Sequence, residues 1–225
     1  MSVPQKILIS GYSHCGTSIL KSIIGHIEDV EEIIDECDKI NKVTDKKYIL
    51  CKSPQIQQKF FSEEYKDYIR ILIIRNPLFV FSSLNKRYGH YKLSEFHSIK
   101  NYIFAIKMFL KYKNNPETNI YTIRYEDLFE NNFYNLKEIL NKIDLKYDDS
   151  IFNNTNYKNA ISSNTELVYK KPKNTDHAKY RTWQINQPFI SNNDVSKLDL
   201  SEIQKQQIIN NPHILRLYPD ISSMC

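Results

Sequence analysis

The sequence predicts an α/β protein of three layers, a central parallel sheet flanked by helices. Three observations carry this. Apolar runs of strand length alternate with helical patterns through the first half of the chain. A glycine loop joins the first such run to the first helical pattern. The third run ends in Arg75-Asn76-Pro77 and passes directly into another helical pattern.

The first strand is read at Ile7-Leu8-Ile9, and the helix after it from Ile19, Leu20, Ile23, Ile24 and Ile27. Between them lies Gly11-Tyr12-Ser13-His14-Cys15-Gly16-Thr17-Ser18, with the spacing of a phosphate-binding P-loop, G-x-x-x-x-G-x-[ST]. In the order strand, loop, helix, the glycines permit a tight turn and close approach of the backbone to a ligand. The free N–H groups at the helix start then point at an anion. Ser13, His14, Cys15, Gly16, Thr17 and Ser18 are therefore the candidate anion-binding residues. The Lys that a nucleoside triphosphatase places after the second glycine is Thr17 here, so the loop reads as a phosphate or sulfate cradle. A plain strand-to-helix turn is the simpler alternative, but the chain has only four glycines and places two of them here.

An acidic stretch follows, from Glu28-Asp29 through Glu31-Glu32 to Asp35-Glu36. Most of it reads as a solvated face. Asp35 and Glu36, at its end, are where a chain returning across the loop would present a general base. Tyr48-Ile49-Leu50-Cys51 reads as the second strand, ending in Lys52-Ser53-Pro54. Carboxyl ends of parallel strands line the ligand crevice, which sets Lys52 beside the loop. A surface Lys ahead of a proline-started helix fits the same residues equally well. Ile69-Arg70-Ile71-Leu72-Ile73-Ile74 is the third strand. Arg75 stands at its end, and Ser83 falls about two helical turns later. An Arg fork with a hydroxyl is a suitable clamp for a second phosphate.

Ser94 is the expected cap of a long helix whose stripe runs Phe96, Ile99, Ile103, Ile106, Leu110. Tyr88, His90 and Tyr91 precede it as loop aromatics, or as lining of an acceptor pocket. Ile120-Tyr121-Thr122-Ile123-Arg124 is the fourth strand, with Tyr125-Glu126-Asp127-Leu128 after it and a helix from about Leu136 to Ile143. Residues 146–193 lose periodicity and read as an irregular, lid-like region. Within it, Lys179 to Gln184 carries Arg181 and the only tryptophan, Trp183, in what reads as a mobile loop, either closing on a nucleotide or forming a surface patch. The last helix starts at Ser201, whose spacing to Gln204 is a capping-box pattern. With no repeat and no linker, residues 1–225 are expected to form one domain of about four to five strands.

Composition narrows the classes. Hydrophobic residues at 41% and charged residues at 25% are ordinary for a globular chain. No apolar run approaches the ~20 residues of a membrane span, and the N-terminus lacks the pattern of a signal peptide, so the expected compartment is the cytoplasm. The net charge of +5 suits an anionic ligand but is too small and dispersed to argue for nucleic acid. Cys15, Cys37, Cys51 and Cys225 have neither metal-site nor disulfide spacing and are expected as free thiols.

Together, the glycine loop, Lys52-Ser53-Pro54, Arg75 to Ser83 and Tyr125 to Leu128 resemble the P-loop sulfotransferase family, across about the whole chain. That resemblance implies a P-loop NTPase-like three-layer fold and a donor, 3′-phosphoadenosine-5′-phosphosulfate (PAPS), with 3′-phosphoadenosine-5′-phosphate (PAP) as product and no metal. It implies that Gly16, Thr17 and Ser18 hold the 5′-phosphosulfate, that Arg75 and Ser83 hold the 3′-phosphate, that Tyr125 lies near the adenine, and that Arg181 closes on the 3′-phosphate side. Lys52 is then the cation on the transferring sulfuryl group, and Asp35 or Glu36 the general base on the acceptor. The position of His14 usually carries Lys or Arg in that family. His14 is therefore expected to act as donor or acid, with activity falling as it deprotonates. Pro54 stands where one branch has a His base, which favours the branch with a carboxylate base. The acceptor is a saccharide, a peptide tyrosine or a small alcohol. Two alternatives stay open: a small-molecule kinase on the same loop, and a non-catalytic nucleotide-binding relative.

Overall fold

A computed structural model describes residues 3–53, 58–89, 97–113, 115, 118–153, 163–164, 166–168, 170–173, 177–186 and 194–224. Pro54, His90, Tyr91, Ser94, Phe96 and much of 146–193 lie outside the described residues. Five parallel strands make one sheet: β1 (Gln5–Gly11), β2 (Val30–Glu32), β3 (Tyr48–Lys52), β4 (Ile69–Ile74) and β5 (Ile120–Arg124), in the order β2-β3-β1-β4-β5. The chain leaves β1 through α1 (Thr17–Gly25) toward one edge, returns to β3, then crosses to β4. β1 thus lies between β3 and β4 at the point where the direction of winding reverses, which is where open α/β sheets bind ligands.

Strand side chains alternate between two cores, as the period of two requires. Leu8, Ile49, Cys51, Leu72 and Ile74 face a core shared with α2 (Pro77–Tyr88), α3 (Ile99–Tyr112), α7 (Glu202–Ile209) and α8 (Pro212–Leu217). Ile7, Ile9, Tyr48, Leu50, Ile71 and Ile73 face the other, with α1, the short α4 (Tyr125–Leu128) and α5 (Tyr134–Lys142). Ile7, Leu8 and Ile9 are fully buried, each worth about 1.5–3 kcal/mol over exposure. The sheet is fastened from both sides, so its carboxyl edge is a rigid platform.

Several expectations change. The acidic stretch contains β2, because Val30 is buried and pairs with Tyr48 while the glutamates after it stay at the sheet rim. The long helix is capped by Ser98, whose Oγ accepts from Asn101 N at 3.3 Å. Lys179–Gln184 lies inside helix α6 (His177–Ile185), not in a loop. Among the described side chains of that helix, only Thr182 and Ile185 are buried, too few to give an apolar stripe in the sequence. Cys37 and Cys51 are paired rather than free, with Cα atoms 6.3 Å apart. The chain after β2 folds back along β3, Ile33 N donating to Leu50 O at 2.8 Å, and a separation of 14 residues does not encode that. The capping box at Ser201 and Gln204 is present. No helix among the described residues is long and apolar enough to cross a membrane.

Candidate functional site

The loop after β1 meets the demands read from its glycines. A Cβ on Gly11 would sit 2.3 Å from the Ile73 carbonyl oxygen, so only glycine lets β1 end this close to β4. Gly16 has φ +98°, and a Cβ there would meet Tyr125 Cδ2 at 2.6 Å. His14 is also left-handed, at φ +65°. Alternation of such residues with right-handed ones turns successive N–H groups inward as an anion-binding nest. Gly16 is the N-cap of α1 and provides no side-chain cap, so the first-turn N–H groups face the crevice with no intrahelical partner. Thr17 and Ser18 lie in that turn and are mostly buried; Ser13 is half-buried. The Cys15 side chain points away into the core, where burial pushes its thiol well above the usual range. Only its backbone is left to face a ligand.

At the end of β3, Lys52 is 5% exposed and its Nζ lies 2.5 Å from Glu36 Oε1. Burial pushes the ammonium below the usual lysine range, and the Glu36 charge works against the shift. Glu36 reaches this point because Lys21 anchors the chain before it. Lys21 Nζ, itself buried, donates to the carbonyls of Ile33 (2.9 Å) and Ile34 (2.7 Å) and pairs with Glu32 at 2.9 Å. Asp35 is turned elsewhere, accepting from Ser163 N at 2.9 Å and Ser163 Oγ at 2.6 Å, and these bonds hold its carboxyl below the usual range.

At the end of β4, the Arg75 guanidinium lies 4.3 Å from the Tyr125 ring centroid and 5.5 Å from that of Phe79. Tyr102 donates its hydroxyl to the Arg75 carbonyl. The turn is fixed by Glu126, which accepts from Asn76 N at 2.7 Å and from Tyr218 Oη at 3.3 Å. Burial raises the Glu126 carboxyl above the usual range. Asn76 caps α2, accepting from Leu78 N at 3.0 Å with Pro77 at the first position. That cap aims Ser83 at the loop, where its Oγ lies 2.6 Å from His14 Nδ1.

His14, Arg75, Ser83 and Arg181 line one cleft of about 630 Å³, together with Lys86, Arg87, Asp194 and Lys197. The segment that brings Asp194 and Lys197 to the cleft is tied to α2, since Asp199 N donates to Ser82 Oγ (2.8 Å) and Asn85 Nδ2 to Asp199 O (2.7 Å). Arg181, from α6, lines the same cleft and feels the charges of Arg87 and Glu36, while Tyr125 and Lys52 feel Arg181. A roomier groove of about 840 Å³ lies among α2, α3 and α7 and takes no residue from the strand ends. Sequence reasoning missed Lys21, Glu126 as the brace of the Arg75 turn, and Arg87. A signal existed for each cation: Lys21 interrupts an apolar helix, and Arg87 lies four residues after Ser83, on the same helix face.

No protein-family model and no curated protein matches the sequence. Solved structures match the fold. The mouse sulfotransferase SULT7A1, solved with PAP, is 14% identical, with 98% of this chain and 90% of that chain covered at a TM-score of 0.57. The sulfotransferase domain from the curacin biosynthetic pathway is 11% identical, with 99% of each chain covered at 0.51. With its all-parallel five-stranded sheet, glycine loop at β1 and flanking helices, the chain has the fold of the P-loop sulfotransferases.

Proposed function

We propose that the protein is a sulfotransferase, moving a sulfuryl group from PAPS to a hydroxyl or amine acceptor. The observation that carries this reading is the convergence of an uncapped nest at His14–Gly16 with two strand-end cations, Lys52 and Arg75, on either side of β1. A ligand with an anionic group at the nest and a second phosphate fits that set. Bound there, PAPS supplies a sulfuryl group on a phosphate leaving group.

In this reading the backbone from Ser13 to Ser18 and the Thr17 and Ser18 hydroxyls hold the 5′-phosphosulfate. Arg75 and Ser83 hold the 3′-phosphate. Tyr125 backs both Gly16 and Arg75 and is the surface nearest the adenine. Arg181 closes over the cleft from α6. Lys52, shielded from water, places a positive charge where a weakly screened interaction acts most strongly. Glu36, paired with it, takes the proton from the acceptor hydroxyl, a role its contact with Lys52 favours over Asp35. The acceptor is a saccharide, a peptide tyrosine or a small alcohol, and the reaction belongs in the cytoplasm.

The test is transfer of radiolabelled sulfate from PAPS to matched panels of phenols, sugars and tyrosyl peptides. Label in one class, lost in Lys52→Ala, supports the reading. PAPS bound and never turned over by any panel supports the non-catalytic alternative.

A further inference from the structure

The loop contributes no permanent positive charge: its side chains are Ser13, His14, Cys15, Thr17 and Ser18. Transfer from a phosphate leaving group builds negative charge on the bridging oxygen, and a cationic donor there lowers the barrier. On the opposite wall stands Arg87, one helical turn beyond Ser83. Its Nη1 lies 3.3 Å from His14 Nε2, and its guanidinium covers the Tyr88 ring at 4.6 Å. No carboxylate among the described residues lies within ion-pair distance of it.

A guanidinium only donates. Nε2 of His14 is therefore the acceptor, and the ring proton, assigned from this network, sits on Nδ1 and is donated to Ser83 Oγ. A doubly protonated ring would set an N–H against the guanidinium N–H. The charges around the pair point the same way. From α6 comes Arg181, and from the segment after β2 Glu36, the carboxylate already committed to Lys52; Arg75, Lys86 and Lys197 line the same cleft, with Asp194 there paired to Lys197. Tyr88 and His97 complete the wall, and Arg87, after burial, also pulls His97 below the usual histidine range.

We propose that Arg87 supplies the permanent positive charge at the transfer point and keeps His14 neutral in its Nδ1–H form. Arg87 is then a catalytic residue and His14 its positioning partner, linking it to Ser83. The catalytic half rests on the sulfotransferase reading; the half concerning the imidazole does not.

The experiment has two arms. In ligand-free protein, the nitrogen resonances of the His14 ring are followed against pH in wild type and in Arg87→Met. The expected result is an Nδ1–H ring in wild type that resists protonation below the ordinary histidine pKa of about 6.5, and a titration at least about one unit higher in the variant. The same titration in both proteins overturns the pairing. In the second arm, kcat is measured at saturating PAPS. Wild type is expected to show no loss of rate as pH rises through the histidine range, because its cation does not titrate there. Arg87→Met falls roughly 100-fold or more, and its residual rate declines as pH rises through that range, since only imidazolium replaces the lost charge. His14→Lys in the Arg87→Met background recovers most of the loss. An unchanged kcat in Arg87→Met, or no recovery in the double variant, overturns the catalytic half. Absence of transfer by wild type overturns the sulfotransferase reading and that half with it, while the ring titration still decides the other. Arg87 is exposed, so the variant is expected to melt with wild type, and Arg87→Lys, which keeps the charge, retains more activity than Arg87→Met.

Discussion

Two cations flank β1 at the carboxyl edge of the sheet, and they are held in opposite ways. Lys52, at the end of β3, is buried against a carboxylate 2.5 Å away. Arg75, at the end of β4, is held by the ring faces of Tyr125 and Phe79. A carboxylate neutralises the cation it holds. An aromatic face orients a guanidinium without neutralising it, because the ring offers a quadrupole and no charge. The β4 edge is therefore suited to binding a fixed anion. Under the proposed function, the β3 edge serves the chemistry, with the Glu36 base and the Lys52 cation separating when an acceptor enters. Each edge has its own support: Glu126 fixes the turn that follows Arg75, and Lys21, through the Ile33 and Ile34 carbonyls, restrains the segment that carries Glu36.

The largest expected effect breaks the β3 side. Lys52→Ala lowers kcat by roughly 100- to 1,000-fold while PAP, which lacks the sulfuryl group, binds within a few-fold of wild type by calorimetry. The same residue is expected to set the alkaline limb of the rate profile. Burial lowers its pKa, so its proton is lost, and activity with it, as pH rises toward but short of the ordinary lysine value of about 10.4. A limb unchanged in Lys52→Arg would remove Lys52 from that role. On the β4 side, Arg75→Ala weakens PAP by about 10- to 100-fold and leaves AMP, without a 3′-phosphate, nearly unaffected. Equal losses for both nucleotides would erase the distinction between the edges.

The supports give the next effect. Glu126→Ala strands the Asn76 N–H and the Tyr218 hydroxyl and costs about 2 kcal/mol in denaturant unfolding. Glu126→Gln keeps an acceptor and stays within about 1 kcal/mol. The sign with pH follows from a carboxyl raised by burial: wild type gains stability as pH falls through the raised pKa, where the native state binds the extra proton. The Gln variant shows no such gain, and identical pH dependences would contradict it. Smallest is Tyr125→Leu, worth about 1 kcal/mol or roughly fivefold in PAP affinity through the lost ring face. No change there would mean that the Tyr125 ring does not orient Arg75.

What the sequence revealed follows the same division. Four of the five strands, the loop and the helix start after Arg75 were legible because each is forced by local chemistry, whereas β2 lay hidden in an acidic stretch. Gly11 and Gly16 answer to sterics that no other residue meets, and Pro77 marks a helix start. Residues whose meaning depends on distant chain were not legible. Lys21, Glu126 and the Cys37–Cys51 pair act across tens of residues or between elements, and nothing in their neighbours announces the partner. Helix α6 was not legible for a different reason. Among its described side chains only Thr182 and Ile185 are buried, so its periodicity drowned in polar residues. Between Asp35 and Glu36, adjacent in sequence, only the direction taken by the chain after Lys21 separates the one on Ser163 from the one on Lys52.

The most direct measurement is calorimetric titration of the protein with PAP, against AMP, ADP and ATP with Mg²⁺. The sulfotransferase reading requires that PAP binds tightest, that AMP binds at least tenfold more weakly, and that Arg75→Ala abolishes the difference. Preference for ATP with Mg²⁺ would contradict it in favour of a kinase, and no binding of any nucleotide would leave the loop at Gly16 as a structural turn.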